Sequence, residues 1–407
     1  MEENAKQTKH DFLKGALSGA LTILLLGGVV LFAMHATGTG FDIDFGSQSK
    51  HVIDGDTARK MKEIQTLIDT KYLRESDIKI KDMEKGIYDG YVSGLSDPYS
   101  SYYDEKDTKD LQESTAGIYS GIGATLSQSR DTGIITLTGI YKESPAWKAG
   151  LQENDILYKV NEKDISGMEL SNVVSKIRGT DGTEVRITVL RGSGHEEVEV
   201  VATRGQIEMH TIEYEMKENQ IGYLRITEFD TITEKQYQEA LDDLEAQGMK
   251  GLVVDLRNNP GGNLVTVCKM LDQMLPKGLI VYTEDKNGTK QSMTSDEEHQ
   301  FTKPITVLTN GHSASAAEIY AGAIQDYGLG EIVGTTTYGK GVIQQMFSLK
   351  DKTCLKLTVA EYFTPKGRNI DGKGIKPDVE IEYENNEQNP EADNQLAKAL
   401  ELVNAKL

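Results

Sequence analysis

At 407 residues the chain exceeds one ordinary domain, and that length calls for two or three folded units. Hydrophobic residues make up 38% and aromatics 7%, enough for packed cores beneath a polar surface. A formal net charge of −20 argues against nucleic acid as the main partner, because a phosphate backbone selects basic surfaces. The same balance keeps the body soluble and away from anionic lipid headgroups.

The first apolar run decides the compartment. Residues 1–14 form a short charged tail, and Gly15 to Ala36 carry no Asp, Glu, Lys or Arg. Such a stretch suffices for one bilayer crossing. Lys6, Lys9 and Lys14 precede it and Asp42 and Asp44 follow, so the lysine bias places the N-terminus inside and the body outside. A cleaved signal peptide has a shorter apolar region, and Met34 spoils a small-x-small cleavage site before Thr37. The expectation is a retained single-pass signal anchor in the cell membrane with an extracytoplasmic body. Residues 37–50, rich in Gly, Ser and Asp, read as a linker.

From 51 to 112 the pattern is helical, with Met61, Ile64, Ile68 and Leu73 near helical spacing and a turn signal at Asp97-Pro98. These N-terminal helices and the C-terminal helix serve a homodimer interface as readily as they pack within the chain. Between 113 and 206 the style changes to short strands with Gly turns: "GIGATLSQ", "GIITLTGI", "DILYKVN" and "EVRITVLRG", with one short helix at 169–177. A Gly-rich loop between strand and helix can capture a peptide's terminal carboxylate, and the strand edge can add the peptide as a further strand. The "SPAxxAGL…DIL…VN" run resembles a PDZ domain of the bacterial protease type. Asn154 stands where such modules carry glycine, and Asn tolerates the left-handed backbone. The resemblance assigns peptide contacts to Gly121, Ile122, Gly123 and Ala124. Arg178, at the end of the short helix, is a candidate charged link from module to core and is equally readable as a solvated arginine.

Residues 207–382 alternate strand and helix with near-continuous apolar strands, the pattern of an α/β domain around a mainly parallel sheet. An acidic loop and a helix, 383–407, close the chain. Cys268 and Cys354 lie in apolar stretches and read as buried free thiols.

Three segments of this α/β region carry chemistry. "GLVVDLRNNPGGNL" (251–264) runs from a buried strand through a Gly-Gly turn into a helix, which lets backbone N–H groups approach a ligand. In "NGHSASAAEIYAG" (310–322), Ser315 and Glu318 have capping-box spacing at a helix start, where N–H groups and positive partial charge also suit a nucleophile. "TTTYGKGVIQQ" (335–345) sets Lys340 between glycines, with Gln344 four residues on. No histidine stands in the context of a Ser-His-Asp set, although His312 is three residues from Ser315. A buried, neutral lysine is the other base for serine. On composition alone Lys340 reads as an exposed loop lysine.

The stretches "NGHSASAAEIYAGAIQD" and "VGTTTYGKGVIQQ" resemble the serine–lysine signature of the carboxyl-terminal processing peptidases, or tail-specific proteases. The resemblance extends through "GLSDPYSSYY", the PDZ-like module, "DLRNNPGG", "LKLTVAEYFTPKGRNIDGKGIKPDVEI" and "DNQLAKAL". Ala317, His312 and Tyr338 depart from the usual pattern without removing a catalytic group. The resemblance implies Ser315 as nucleophile, Lys340 as base 25 residues later, Gln344 as its support, and Ala316 and Gly262 N–H groups as oxyanion hole. It implies hydrolysis of protein substrates with unstructured C-termini, gated by the PDZ module, with no cofactor and no metal. The fold expected is thus multidomain α/β: an N-terminal transmembrane helix, a helical region, a PDZ-like β module, then the protease core. Two rival functions are a catalytically silent PDZ adaptor that binds protein C-termini and a fold relative acting on acyl thioesters.

Overall fold

A computed structural model describes residues 52–296, 298–385 and 392–407. The expected membrane span at 15–36, its tail and most of the linker lie outside the described residues, and within them no helix is long and apolar enough to cross a membrane.

The chain divides into two units, residues 1–79 and 80–407. In the first, α1 (Gly55–Lys71) starts on the Asp54 side chain, which accepts from the N–H groups of Asp56 and Thr57, and it buries no residue.

The second unit opens with α2 (Ile80–Ser93), β1 (Ser101–Tyr103) and α3 (Glu105–Ala116). The sequence suggested only a turn after Asp97-Pro98. The structure corrects this: Asp97 does make the turn, accepting from Ser100 Oγ, but the following Ser-Tyr-Tyr pairs antiparallel with a distant strand, residues 354–363. Three residues carry too little periodicity to declare a strand, and the pairing partner supplies it.

The β module comprises β2 (Ile118–Gly121), β3 (Ala124–Gln128), β4 (Ile135–Ile140), α4 (Pro145–Lys148), β5 (Ile156–Val160), β6 (Lys163–Asp164), α5 (Leu170–Ile177), β7 (Glu184–Arg191), β8 (Glu196–Thr203) and β9 (Gly205–Glu208). Its sheet runs β3-β4-β5-β7-β8, which leaves β3 at an edge, and it encloses its own core around Leu137, Val173, Val185 and Val189. Asn154 takes φ 70°, the left-handed turn expected of it. β2 and β9 pair as a separate antiparallel ribbon where the chain enters and leaves the module.

The α/β region follows: β10 (Ile212–Lys217), β11 (Ile221–Ile226), α6 (Thr233–Ala246), β12 (Gly251–Asp255), α7 (Leu264–Asp272), β13 (Gly278–Asp285), β14 (Lys290–Ser295), β15 (Ile305–Thr309), α8 (Ala316–Tyr327), β16 (Gly330–Gly334), β17 (Val342–Ser348), β18 (Cys354–Phe363), β19 (Val379–Glu380) and α9 (Asn394–Asn404). The main sheet runs β10-β11-β12-β15-β16-β19 and is parallel except between β10 and β11. Every residue of β12 and β15 is buried, because both faces of the sheet are covered. Leu252 and Val254 face the core shared with α6, α7 and α8, while Val253 faces α9 through Ala399 and Val403. A second, antiparallel sheet, β1-β18-β13-β14 with β17 also on β18, completes the unit. Cys268 and Cys354 are buried free thiols.

Candidate active site

β12 and β15 are parallel neighbours, so the turns after them leave the same sheet edge side by side. Ligand sites of α/β sheets form there, beyond the carboxyl ends of the strands. The two turns are stitched together. Ala314 N–H donates to the Asn259 carbonyl (3.0 Å), Asn258 N–H to Asn310 Oδ1 (3.0 Å), and Ser313 Oγ to the Leu256 carbonyl (2.8 Å). Ser313, the first serine of Ser-Ala-Ser, is therefore spent on structure and fully buried. Gly261 abuts the second: a Cβ there would lie 2.7 Å from Ser315 Cβ and 3.0 Å from the Ala316 nitrogen. At Gly262, φ is 139° and a Cβ would meet the Phe229 carbonyl oxygen at 2.4 Å, so no other residue fits.

Ser315 holds φ 54° and ψ −114°, a conformation that a residue with a Cβ rarely adopts. Its position satisfies the capping-box spacing, and Glu318 N–H lands on the Ser315 carbonyl at 2.9 Å. The helix is capped from the other side, since the Glu318 carboxylate accepts from Ser315 N–H at 2.9 Å. The same fully buried carboxylate accepts from Thr337 Oγ1 (2.5 Å), Gly339 N–H (2.7 Å) and Lys340 N–H (2.9 Å). Glu318 thus ties the Ser315 turn to the Lys340 loop, and Tyr362 Oη adds a bond to the Ser315 carbonyl at 3.2 Å. Capping-box spacing was the one sequence signal that pointed at Glu318.

One cleft of about 1220 Å³ is lined by Ser315, Ala316, Gly262, Lys340 and Gln344 together. No hydrogen bond from Ala316 N–H or Gly262 N–H forms within the described residues, so both are open to a ligand. Lys340 is not the exposed loop lysine that composition suggests: it is half-buried, with Nζ 4.7 Å from the ring centre of Tyr99. Burial pulls its pKa below the ordinary lysine range and the Lys356 ammonium adds to that, against the opposing charges of Asp97 and Glu318. Gln344 reaches the cleft, but in this conformation its Nε2 donates to Thr358 Oγ1 (3.2 Å), not toward Lys340. A bulge between Ile343 and Gln344 shifts the pairing of β17 with β18, so simple alternation from Lys340 does not fix where Gln344 faces. Among the described residues no histidine lines the cleft, and His312 is exposed on the surface. Tyr99 and Lys356 went unnoticed in the sequence because neither has a local pattern; tertiary folding alone brings them to Lys340.

The module holds a second, smaller cavity of about 160 Å³, lined by Gly121, Ile122, Gly123, Ala124, Val174 and Arg178. It lies between edge strand β3 and helix α5. Gly123 (φ 72°) packs against Ser144, whose Oγ donates to the Gly123 carbonyl at 3.1 Å. The Arg178 guanidinium stacks on the Tyr119 ring, 4.4 Å from its centre, and so faces this groove.

Residues 220–381 match the model of peptidase family S41, and residues 136–191 match that of the PDZ domain. The carboxy-terminal processing protease CtpA of Bacillus subtilis (strain 168) is 36% identical over 361 residues, which cover 88% of this chain and 76% of that protein. The chain belongs to peptidase family S41. A probable CtpA-like serine protease of Staphylococcus aureus (strain COL) is 35% identical over 362 residues, 88% of this chain and 72% of that one. Among solved structures, a photosystem II D1 C-terminal processing protease aligns with a TM-score of 0.45 at 25% identity, over 79% of this chain and 86% of that chain. This S41 member is a serine-type peptidase that carries a PDZ domain.

Proposed function

We propose that the protein is a membrane-anchored, outward-facing serine endopeptidase that cleaves proteins near their C-termini through a Ser315–Lys340 dyad. The observation that carries this reading is the meeting of Ser315, Lys340 and two open N–H groups in a cleft without histidine. Neutral Lys340 takes the proton of the Ser315 hydroxyl as its oxygen attacks the scissile carbonyl. The N–H groups of Ala316 and Gly262 receive the oxyanion, and loss of one such donor costs roughly 10²-fold or more in rate. Collapse of the oxyanion breaks the C–N bond as the Lys340 ammonium gives its proton to the leaving amine. Water, deprotonated by neutral Lys340, then hydrolyses the acyl-enzyme, and the proton passes back to the Ser315 oxygen. Gln344 supports the Lys340 amine once it leaves Thr358.

Lys340 over Tyr99 and Gln344 on Thr358 suit a resting state that rearranges when substrate arrives. The groove at Gly121 to Ala124 receives the substrate's C-terminus as an added strand beside β3, and Arg178 relays its occupancy. Ser315→Ala and Lys340→Ala, each purified and tested on a protein with an unstructured tail, are expected to abolish cleavage while the circular dichroism spectrum is unchanged. Retained cleavage in either overturns the dyad. For the anchor at 15–36, the full chain is expected in the membrane fraction after alkaline carbonate washing. Release into the supernatant contradicts it.

A further inference from the structure

Five carboxylates are buried among the described residues: Asp155, Asp230, Asp255, Glu318 and Asp326. Four have partners. Asp155 pairs with Arg191, Asp255 with Arg257 and Asp326 with Arg368, and Glu318 accepts its four hydrogen bonds. Asp230 is the exception. It is 3% exposed, and its Oδ2 is buried with no hydrogen-bond partner. A buried carboxylate left this way is costly unless it takes up a proton or a group from outside the chain completes it.

Its place indicates what that is. Phe229 bridges Gly262 in parallel: Phe229 N–H donates to the Gly261 carbonyl (2.8 Å), and Asn263 N–H to the Phe229 carbonyl (2.6 Å). The Phe229 side chain is fully buried against Tyr320, so in this extended stretch its neighbours Glu228 and Asp230 turn to the other side. Both line the cleft that holds Ser315. Two carboxylates therefore stand one backbone bridge away from the Gly262 N–H. Burial raises both, Asp230 to about 7 with Glu228 adding to it, and no cation among the described residues offsets either.

We propose that Glu228 and Asp230 form a subsite for a cationic side chain, lysine or arginine, of the polypeptide that Ser315 attacks; this rests on the protease reading above. A divalent metal fits less well, because no group of three His, Cys, Asp or Glu suited to a metal occurs among the described residues. A lysine or arginine brings its own charge and several N–H donors, and the apolar stem suits the partly apolar wall made by Leu111, Leu264 and Ile319.

The test is to digest casein, an unstructured polypeptide, with the full chain in detergent and to map every cut by mass spectrometry. Lysine and arginine are expected at one fixed position within a few residues of the cut, about tenfold or more above glutamine and asparagine, the discrimination of a charge-assisted hydrogen bond. In Glu228→Gln/Asp230→Asn this preference falls to near unity. In a second arm the unaltered enzyme meets casein with acetylated lysines: lysine-directed cuts vanish and arginine-directed cuts remain. That arm decides the matter if the double variant does not fold. Cuts by the unaltered enzyme without cationic preference, or a preference that survives the double substitution, overturn the subsite and leave the protease reading standing. Failure of the unaltered enzyme to cut at all overturns both.

Discussion

Burial and the Lys356 ammonium favour the neutral amine of Lys340, while Asp97, Glu318 and the face of Tyr99 favour its ammonium form. With Lys340 as the general base proposed above, the neutral form is the active one, so activity is expected to rise with pH as Lys340 loses its proton. Replacing Lys356 by methionine removes a repelling charge, which raises the pKa of Lys340 and lowers its neutral fraction at a given pH. The rising limb of kcat/KM against pH is therefore expected to move to higher pH in Lys356→Met; an unmoved limb refutes the coupling. The meeting of Ser315 and Lys340 in one cleft was legible in the sequence because their 25-residue spacing sits inside a long ordered resemblance. Glu318 was legible only as a helix cap. That it ties the Ser315 turn to the Lys340 loop follows from where 337–340 return, which no local pattern encodes.

At the scale of elements, the C-terminal helix is fastened to the turn that leads to Gly262. Arg257, with 12% of its side chain exposed, binds Asp255 (2.6 Å), Asp393 (2.7 Å) and Gln395 (3.0 Å). Asp393 also caps α9 by accepting from Leu396 N–H. Arg257→Met strands two carboxylates at a largely buried site, at a cost of roughly 3–5 kcal/mol. Urea denaturation is expected to show that loss, with faster hydrogen exchange in 394–404; a loss under about 1 kcal/mol contradicts the clasp. The parallel strands and their helices could be read from apolar runs, since β12 and β15 are buried on both faces. The link from Arg257 to Asp393 could not, because an ion pair across that much chain leaves no periodicity. β1 was missed for the same reason, as its strand character comes from β18.

At the scale of the molecule, the PDZ domain is an insertion with a core of its own. Met209 N–H donates to the Gly117 carbonyl at 2.8 Å, so the chain leaves the module where it entered. Excising 118–208 and joining Gly117 to Met209 through a short Gly-Ser link is expected to leave a protease region that melts in one cooperative transition, followed by calorimetry. Aggregation or loss of the transition contradicts independence. Comparing the cleavage rate of that shortened enzyme with the full chain then gives the sign of PDZ control. The β2–β9 ribbon is the connection through which the proposed control would pass. Two paired strands carry the chain into and out of the module, so they are its covalent connection to the protease region. Tyr119 and Gly121 belong both to that ribbon and to the wall of the peptide groove. Under the gating proposed above, a peptide bound there would act on the ribbon that joins the module to the protease region.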